Sequence, residues 1–196
     1  YPVFDCDAHI TELPDIWDYL SEKEKKLVKP WFWADGINVI VNGNKMGVGS
    51  WALGHDPANN MGFQPDARRI PNLLEMSGPG VNKKLIRKLY TMKLTEEQCD
   101  EAEQKGAREP HARVADMDLQ GIDQVVVIPL MMFSNFLFVE NFDAAVLMAR
   151  AYNDWVYDWC SVAPDRLFPA AVLPLQNPQL AAKELRQAAK RGFKVA

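Results

Sequence analysis

Apolar positions gather into four short segments, at residues 3–7, 124–128, 167–173 and 193–196, most of them nearly continuous runs. Runs of this length predict strands buried on both faces, as in a parallel sheet covered by helices. Between them, apolar side chains recur every three or four positions, which predicts helices with marked ends. The helix Pro110–Gln120 is closed by Gly121. Asp143 caps a helix that aligns Val146, Ala149, Tyr152, Val156 and Trp159. Asn177 caps another that begins at Pro178, carries Leu180, Ala181, Leu185 and Ala188 on its apolar face, and stops at Gly192.

The resulting order is β, a long insertion, then α-β-α-β-α-β. The first connection, residues 10–122, far exceeds an ordinary loop. Within it, residues 14–20 and 22–28 predict helices. Residues 37–41 followed by Asn42-Gly43 predict a hairpin, because both turn residues accept a positive φ. Residues 81–90 predict a further helix, and Thr95 with Gln98 forms a capping box for one reaching residue 104. Residues 47–80, rich in Gly, Pro and Asn, read as irregular loop.

Composition narrows the function classes. A chain of 196 residues with 48% apolar content suits one domain with a sizeable core. Its 22 basic and 26 acidic residues leave a net charge of −4 without a basic block, which argues against nucleic acid or an anionic membrane as partner. No apolar run approaches the roughly 18 residues of a membrane span, and the first residues lack the pattern of a signal peptide. Cys6, Cys99 and Cys160 are far apart and form no CxxC pair, so neither a disulfide framework nor a cysteine zinc site is expected, and a reducing cytoplasm suits them.

The candidate chemistry sits in Val3-Phe4-Asp5-Cys6-Asp7-Ala8-His9. Strand alternation places Asp5, Asp7 and His9 on one side and Phe4, Cys6 and Ala8 on the other, with Cys6 an inert buried thiol. An apolar strand ending in Asp-x-His offers an oxygen and a nitrogen to one divalent cation; the same residues also suit a solvated turn. Glu12 is either an acceptor behind a ligand histidine or a residue that orients the next helix. His55 lies in a loop, where it reaches a substrate or simply meets solvent, and His111 falls in the first turn of a helix. Asp116 and Asp118 lie on opposite sides of that helix and read as surface or capping charges. Trp31-Phe32-Trp33 and the segment holding Phe133, Ser134 and Asn135 are either core or the wall of an apolar pocket.

Four ordered stretches carry a family resemblance. They are Asp5-Cys6-Asp7-Ala8-His9-Ile10-Thr11-Glu12 with Pro14-Asp15-Ile16-Trp17; Arg113-Val114-Ala115-Asp116-Met117-Asp118 with Gly121-Ile122-Asp123; Ala151-Tyr152-Asn153-Asp154-Trp155; and Pro164-Asp165-Arg166-Leu167 with Pro174-Leu175-Gln176-Asn177-Pro178. The chain resembles the amidohydrolase-related family that includes aminocarboxymuconate semialdehyde decarboxylase and resorcylate-type decarboxylases. The resemblance implies an α/β fold, a (β/α)8 TIM barrel with a metal at the carboxyl ends of its strands. Asp7 and His9 fall on the family's metal-binding element, where Asp replaces the first histidine of the double-histidine version.

A closed barrel needs eight strands in roughly 250 residues, whereas four are expected here. The chain therefore reads as the N-terminal part of one barrel domain, residues 1–196, with residues 31–109 as an insertion or lid. The rest of the barrel, with the remaining ligands, is expected from a further segment or another chain. One divalent metal is implied, zinc first, with manganese and iron as alternatives. Nonoxidative decarboxylation of a small aromatic or unsaturated carboxylic acid is the leading expectation. Metal-dependent hydrolysis of an ester, amide, lactone or thioester is the second. A silent half-barrel acting by binding or assembly is the third, and a homodimer is expected from the broad apolar helices and the Trp-Phe-Trp cluster.

Overall fold

The structure, a computed structural model, describes residues 1–10, 15–34, 39–46, 106, 108–130, 132 and 136–196. A parallel sheet of order β1-β5-β6 forms its centre, from β1 (Phe4–Ile10), β5 (Gln124–Pro129) and β6 (Leu167–Pro169). A second, antiparallel sheet joins β2 (Phe32–Ala34), β3 (Val39–Val41) and β4 (Asn44–Met46). The helices are α1 (Glu22–Val28), α2 (Pro110–Gln120), α3 (Phe142–Cys160) and α4 (Pro178–Arg191), with 3-10 turns at Asp15–Tyr19 and Phe136–Phe138.

The helix ends follow the sequence with one exception. Gly121 and Gly192 close α2 and α4, and Asn177 caps α4 through the amides of Gln179 and Leu180. The cap of α3 is Asn141 rather than Asp143; its side chain accepts from the Ala144 amide, and Asp143 lies in the first turn. Short side chains accept equally well at either place, and the chain enters the helix one residue before Asp143. The Asn42-Gly43 turn has φ of 49° and 77°, the pair of positive values that a two-residue hairpin requires.

The core lies between the helix-facing side of the parallel sheet and α3. Ala8, Ile10, Val125, Val127 and Leu167 meet Met148, Tyr152, Val156 and Trp159 there. Phe32 is wholly buried in this core, Trp31 and Trp33 are partly buried against it, and Trp33 stacks on Trp17 at 4.5 Å. Complete burial of a side chain such as Phe32 stabilises by roughly 1.5–3 kcal/mol. The apolar face of α4 differs from expectation, since Ala181, Glu184 and Ala188 are buried and Leu185 is 45% exposed.

Asn153 explains both Glu184 and the shortness of β6. The strand was expected to run to residue 173 but ends at Pro169, which has no N–H to donate to a ladder. Two residues past the single bridge between Ala170 and Val195, the Asn153 side chain stands in for a neighbouring strand: its Oδ1 accepts the Val172 amide at 2.8 Å and its Nδ2 donates to the Val172 carbonyl at 3.0 Å. The other Nδ2 proton goes to Glu184 Oε1 at 2.8 Å. The expected strand at 193–196 is accordingly reduced to that bridge.

Other quoted stretches also tie elements together. Arg166 donates to the Ile122 and Asp123 carbonyls and to Asp118 Oδ1, and Asp123 Oδ2 accepts the Val3 amide. Asp118 is thus one half of an ion pair across the α2–β5 turn. Glu12, His55, Phe133, Ser134 and Asn135, the helices expected at 81–90 and 95–104, the loop expected at 47–80 and most of the 31–109 insertion lie outside the described residues.

Two outcomes follow for stability. Asn153→Leu strands the Val172 amide and carbonyl and the Glu184 carboxylate, and is expected to cost about 2–4 kcal/mol in equilibrium denaturation; a loss below about 1 kcal/mol would show that water replaces these bonds. Glu24 supplies a pH-dependent part. Hydrogen bonds from the Ser21 hydroxyl, the Arg150 guanidinium and the Ser21 amide hold its carboxyl down from 4.5 to about 2. Between those values the unfolded chain binds a proton that the folded one does not, so this contribution is present above 4.5 and is lost as pH falls toward 2. The stability difference between the native protein and Glu24→Gln is expected to shrink across that window, measured by denaturation at stepped pH.

Candidate metal site at the end of β1

The ladder between β1 and β5 contains one extra residue on the β1 side. Asp5 pairs with Val125 and Ala8 with Val127, so three steps along β1 match two along β5, a β-bulge. Asp5 repairs the disturbance locally, its Oδ1 accepting the Asp7 amide at 2.9 Å. After the bulge the pairs Ala8–Val127, His9–Ile128 and Ile10–Pro129 run in step, with Ala8 and Ile10 buried toward the helices. His9 therefore points to the opposite face from Ala8 and Ile10.

This bulge corrects the expected alternation. Asp5 pairs with Val125 and His9 with Ile128, three positions apart, so Asp5 and His9 occupy opposite faces. Cys6, expected to be buried, is exposed, because the bulge places it outside the alternating register that would have sent it to the core.

Asp7 and His9 do come together. Asp7 Oδ1 lies 3.4 Å from His9 Nε2, with the carboxylate open to solvent and the imidazole mostly covered. His9 Nδ1 is 2.9 Å from the Pro129 carbonyl oxygen. A carbonyl only accepts, so Nδ1 carries a proton, and Nε2 is the ring nitrogen that faces the carboxylate. A carboxylate oxygen and an imidazole nitrogen at this distance suit a positive charge between them, either a proton on Nε2 or a metal ion bound by both. Oxygen and nitrogen donors at about 2.0–2.2 Å from a tetrahedral cation stand roughly 3.3–3.6 Å apart, so the observed separation fits a shared metal. The Nδ1–H bond to a backbone carbonyl is the support that metal-bound histidines characteristically have. Among the described residues, no group of three or more His, Cys, Asp or Glu side chains comes together to hold a metal.

The surroundings are held from several directions. Arg113 donates from Nη2 to the His9 carbonyl and from Nε to the Gly106 carbonyl, each at 2.7 Å. The Phe136–Phe138 turn that follows β5 is gripped by two amide side chains. Asn42, at the hairpin turn, donates to the Phe138 carbonyl and accepts from the Glu140 amide, and Gln176 donates to the Phe136 carbonyl. Arg113 and Gln176 lie inside the quoted family stretches, and Asn42 was legible only as a turn residue. His111 is exposed in the first turn of α2. A cavity of about 370 Å³ lined by Tyr157, Cys160, Phe168, Arg191 and Lys194 lies on other elements, away from Asp7 and His9.

The chain belongs to the amidohydrolase family, whose sequence profile matches residues 4–196. No curated protein matches it. An amidohydrolase from Mycobacterium avium subsp. paratuberculosis shares the fold with a TM-score of 0.59 at 20% identity, over 99% of this chain and 48% of its own. A 5-carboxyvanillate decarboxylase from Novosphingobium aromaticivorans, solved with manganese and 4-hydroxy-3-methoxy-5-nitrobenzoic acid, gives a TM-score of 0.51 at 18% identity, over 100% of this chain and 40% of its own. A 2,6-dihydroxybenzoate decarboxylase from Rhizobium is 30% identical over 43% of this chain and 26% of its own, with a TM-score of 0.40. The chain thus spans between a quarter and a half of the length of these solved proteins. The α/β fold with its parallel sheet agrees with the amidohydrolase neighbours.

Thiol chemistry tests the corrected β1. Cys6 is exposed, whereas burial pushes the Cys160 thiol up to about 12. Treatment of the native protein with a thiol reagent is expected to label Cys6 readily and Cys160 only after unfolding, mapped by peptide mass spectrometry; protection of Cys6 would restore the unbroken strand.

Proposed function

We propose that this chain forms the first part of a metal-dependent (β/α)8 barrel enzyme in which Asp7 and His9 are two ligands of a divalent cation. The observation that carries the proposal is the facing pair of donors, Asp7 Oδ1 and His9 Nε2, 3.4 Å apart at the carboxyl end of a parallel strand. Barrel enzymes place their chemistry at that end. The remaining ligands and the other strands come from residues outside these 196, consistent with the share of the solved neighbours that the chain spans. Residues 31–109 act as the insertion over the mouth, and Phe133, Ser134 and Asn135, which follow β5 in sequence, line the substrate pocket.

The reaction proposed first is nonoxidative decarboxylation of a small aromatic carboxylic acid. Its support is the resemblance of the four sequence stretches to decarboxylases of this family. A bound cation would supply a positive anchor for substrate oxygens. Asp7 and His9 would hold it, and the Pro129 carbonyl would keep the His9 ring in the tautomer that presents Nε2. Manganese is the first metal to test, since the 5-carboxyvanillate decarboxylase of the same fold was solved with it, both as such and as a point mutant; the expectation of zinc finds no such support. Glu12 and His55 are candidates for contact with substrate. Hydrolysis is the second reading, because the same Asp–His pair serves a metal-activated water equally well.

Elemental analysis of the full-length protein decides the central point. Native protein is expected to hold stoichiometric divalent metal, and Asp7→Ala and His9→Ala to lose most of it while retaining the fold by circular dichroism. Equal metal content in all three would remove these residues from the site. Carbon dioxide release from a panel of hydroxybenzoic acids then separates decarboxylation from hydrolysis of the corresponding esters.

A further inference from the structure

We propose that Arg113 is the positioning residue of this metal site, and that it links the aim of the His9 imidazole to the end of the long β1–α2 connection at Gly106. The inference rests on reading Asp7 and His9 as metal ligands.

The geometry supplies both halves of the link. Arg113 lies in the first turn of α2, and its guanidinium extends across to the end of β1. Nη2 donates to the carbonyl of His9 itself, and Nε donates to the carbonyl of Gly106, both at 2.7 Å. His9 is therefore held at two points, its backbone by Arg113 and its ring by the Pro129 carbonyl. With Ala8 and Ile10 packed into the core on either side, the guanidinium and the β5 end together fix where Nε2 points.

Gly106 occupies a place that no other residue fits without movement. A Cβ there would lie 2.3 Å from Asp116 Oδ2, and 3.1 and 3.2 Å from the Arg113 Cα and N. The carboxylate can swing aside, but the backbone of α2 cannot, so the close approach that brings the Gly106 carbonyl to Nε depends on a missing side chain. The cation is also expensive to place here. Burial pushes the Arg113 guanidinium below the ordinary arginine value, with the Asp116 and Asp5 carboxylates partly offsetting the shift. An apolar side chain would fill the same space without that cost. What it would not do is donate two hydrogen bonds in a fixed planar fork, which Arg does and Lys does not.

The proposed role is positional: Arg113 reaches backbone carbonyls and touches neither donor atom of the metal pair. Residue 106 lies 97 positions from residue 9 in sequence, yet a single guanidinium separates their carbonyls. A change confined to the connection's end should therefore be felt at the metal.

The test uses the full-length protein with manganese as the probe, free ion being followed by electron paramagnetic resonance, and thermal unfolding recorded on the same samples. Arg113→Met, Gly106→Ala and the double variant are compared with native protein. Arg113→Met is expected to weaken manganese binding about tenfold or more, the range seen when partners behind a metal ligand are removed. Gly106→Ala should weaken it in the same direction, and the double variant should be no weaker than Arg113→Met, because both changes cut one link. Lower melting temperatures with manganese affinity unchanged would reduce Arg113 to a packing clamp and overturn the proposal, as would strictly multiplicative losses in the double variant. If native protein binds no manganese, the metal reading fails separately. The proposal is then decided by nitrogen NMR of the metal-free protein: Arg113→Met must shift the His9 ring signals toward a mixture of tautomers, and unchanged signals sink it.

Discussion

The parallel ladder between β1 and β5 is the constraint from which the site follows. Within it, Ala8 and Ile10 are locked into the core, and their burial leaves His9 only the opposite face. The same ladder carries Pro129 beside Ile10, which puts its carbonyl within reach of the His9 ring. Backbone pairing, hydrophobic burial and the tautomer of one imidazole are thus consequences of a single register. Asp7 completes the arrangement from the bulge, where the backbone is freed from strict alternation and a carboxylate can approach the ring.

Much of the fold was legible because its signals are local. Prolines at the first helical position, asparagine caps and closing glycines marked α2 and α4, and Asn42-Gly43 marked the hairpin. The parallel character of the sheet was readable from unbroken apolar runs, and the Asp7–His9 pair from its strand-end spacing. What escaped were features set by distant partners. A bulge changes the facing of Asp5 and Cys6 without leaving a sequence mark, since an Asp two residues before an amide it accepts is unremarkable in itself. The early end of β6 needed knowledge that Asn153, on a helix, would occupy Val172. The burial of Glu184 in place of Leu185 follows from the same asparagine.

The family stretches acquire physical roles once placed in space, and most are architectural. Arg166 and Asp118 bind the α2–β5 turn, Asp123 holds the chain entering β1, Asn153 ends β6, and Gln176 steadies the turn after β5. Each joins elements far apart in sequence through backbone groups that would otherwise lack a partner. Side chains of this kind tolerate few replacements, because donor number and reach must both be right. Two of the described residues in those stretches, Asp7 and His9, instead face each other across 3.4 Å, and the proposed metal site rests on them.

The extra residue in β1 divides the strand into two portions that answer to different requirements. Beyond it, positions 8 to 10 are fixed by close packing and by the imidazole between them. Before it, Phe4 stands 53% exposed and leans on Phe168, while Cys6 faces solvent. Random substitution should therefore meet two regimes along seven consecutive residues, permissive at the opening and severe at the close. Removing one residue at the kink would fuse the regimes, forcing the chain to choose between hiding Ile10 and keeping Phe4 beside its aromatic neighbour.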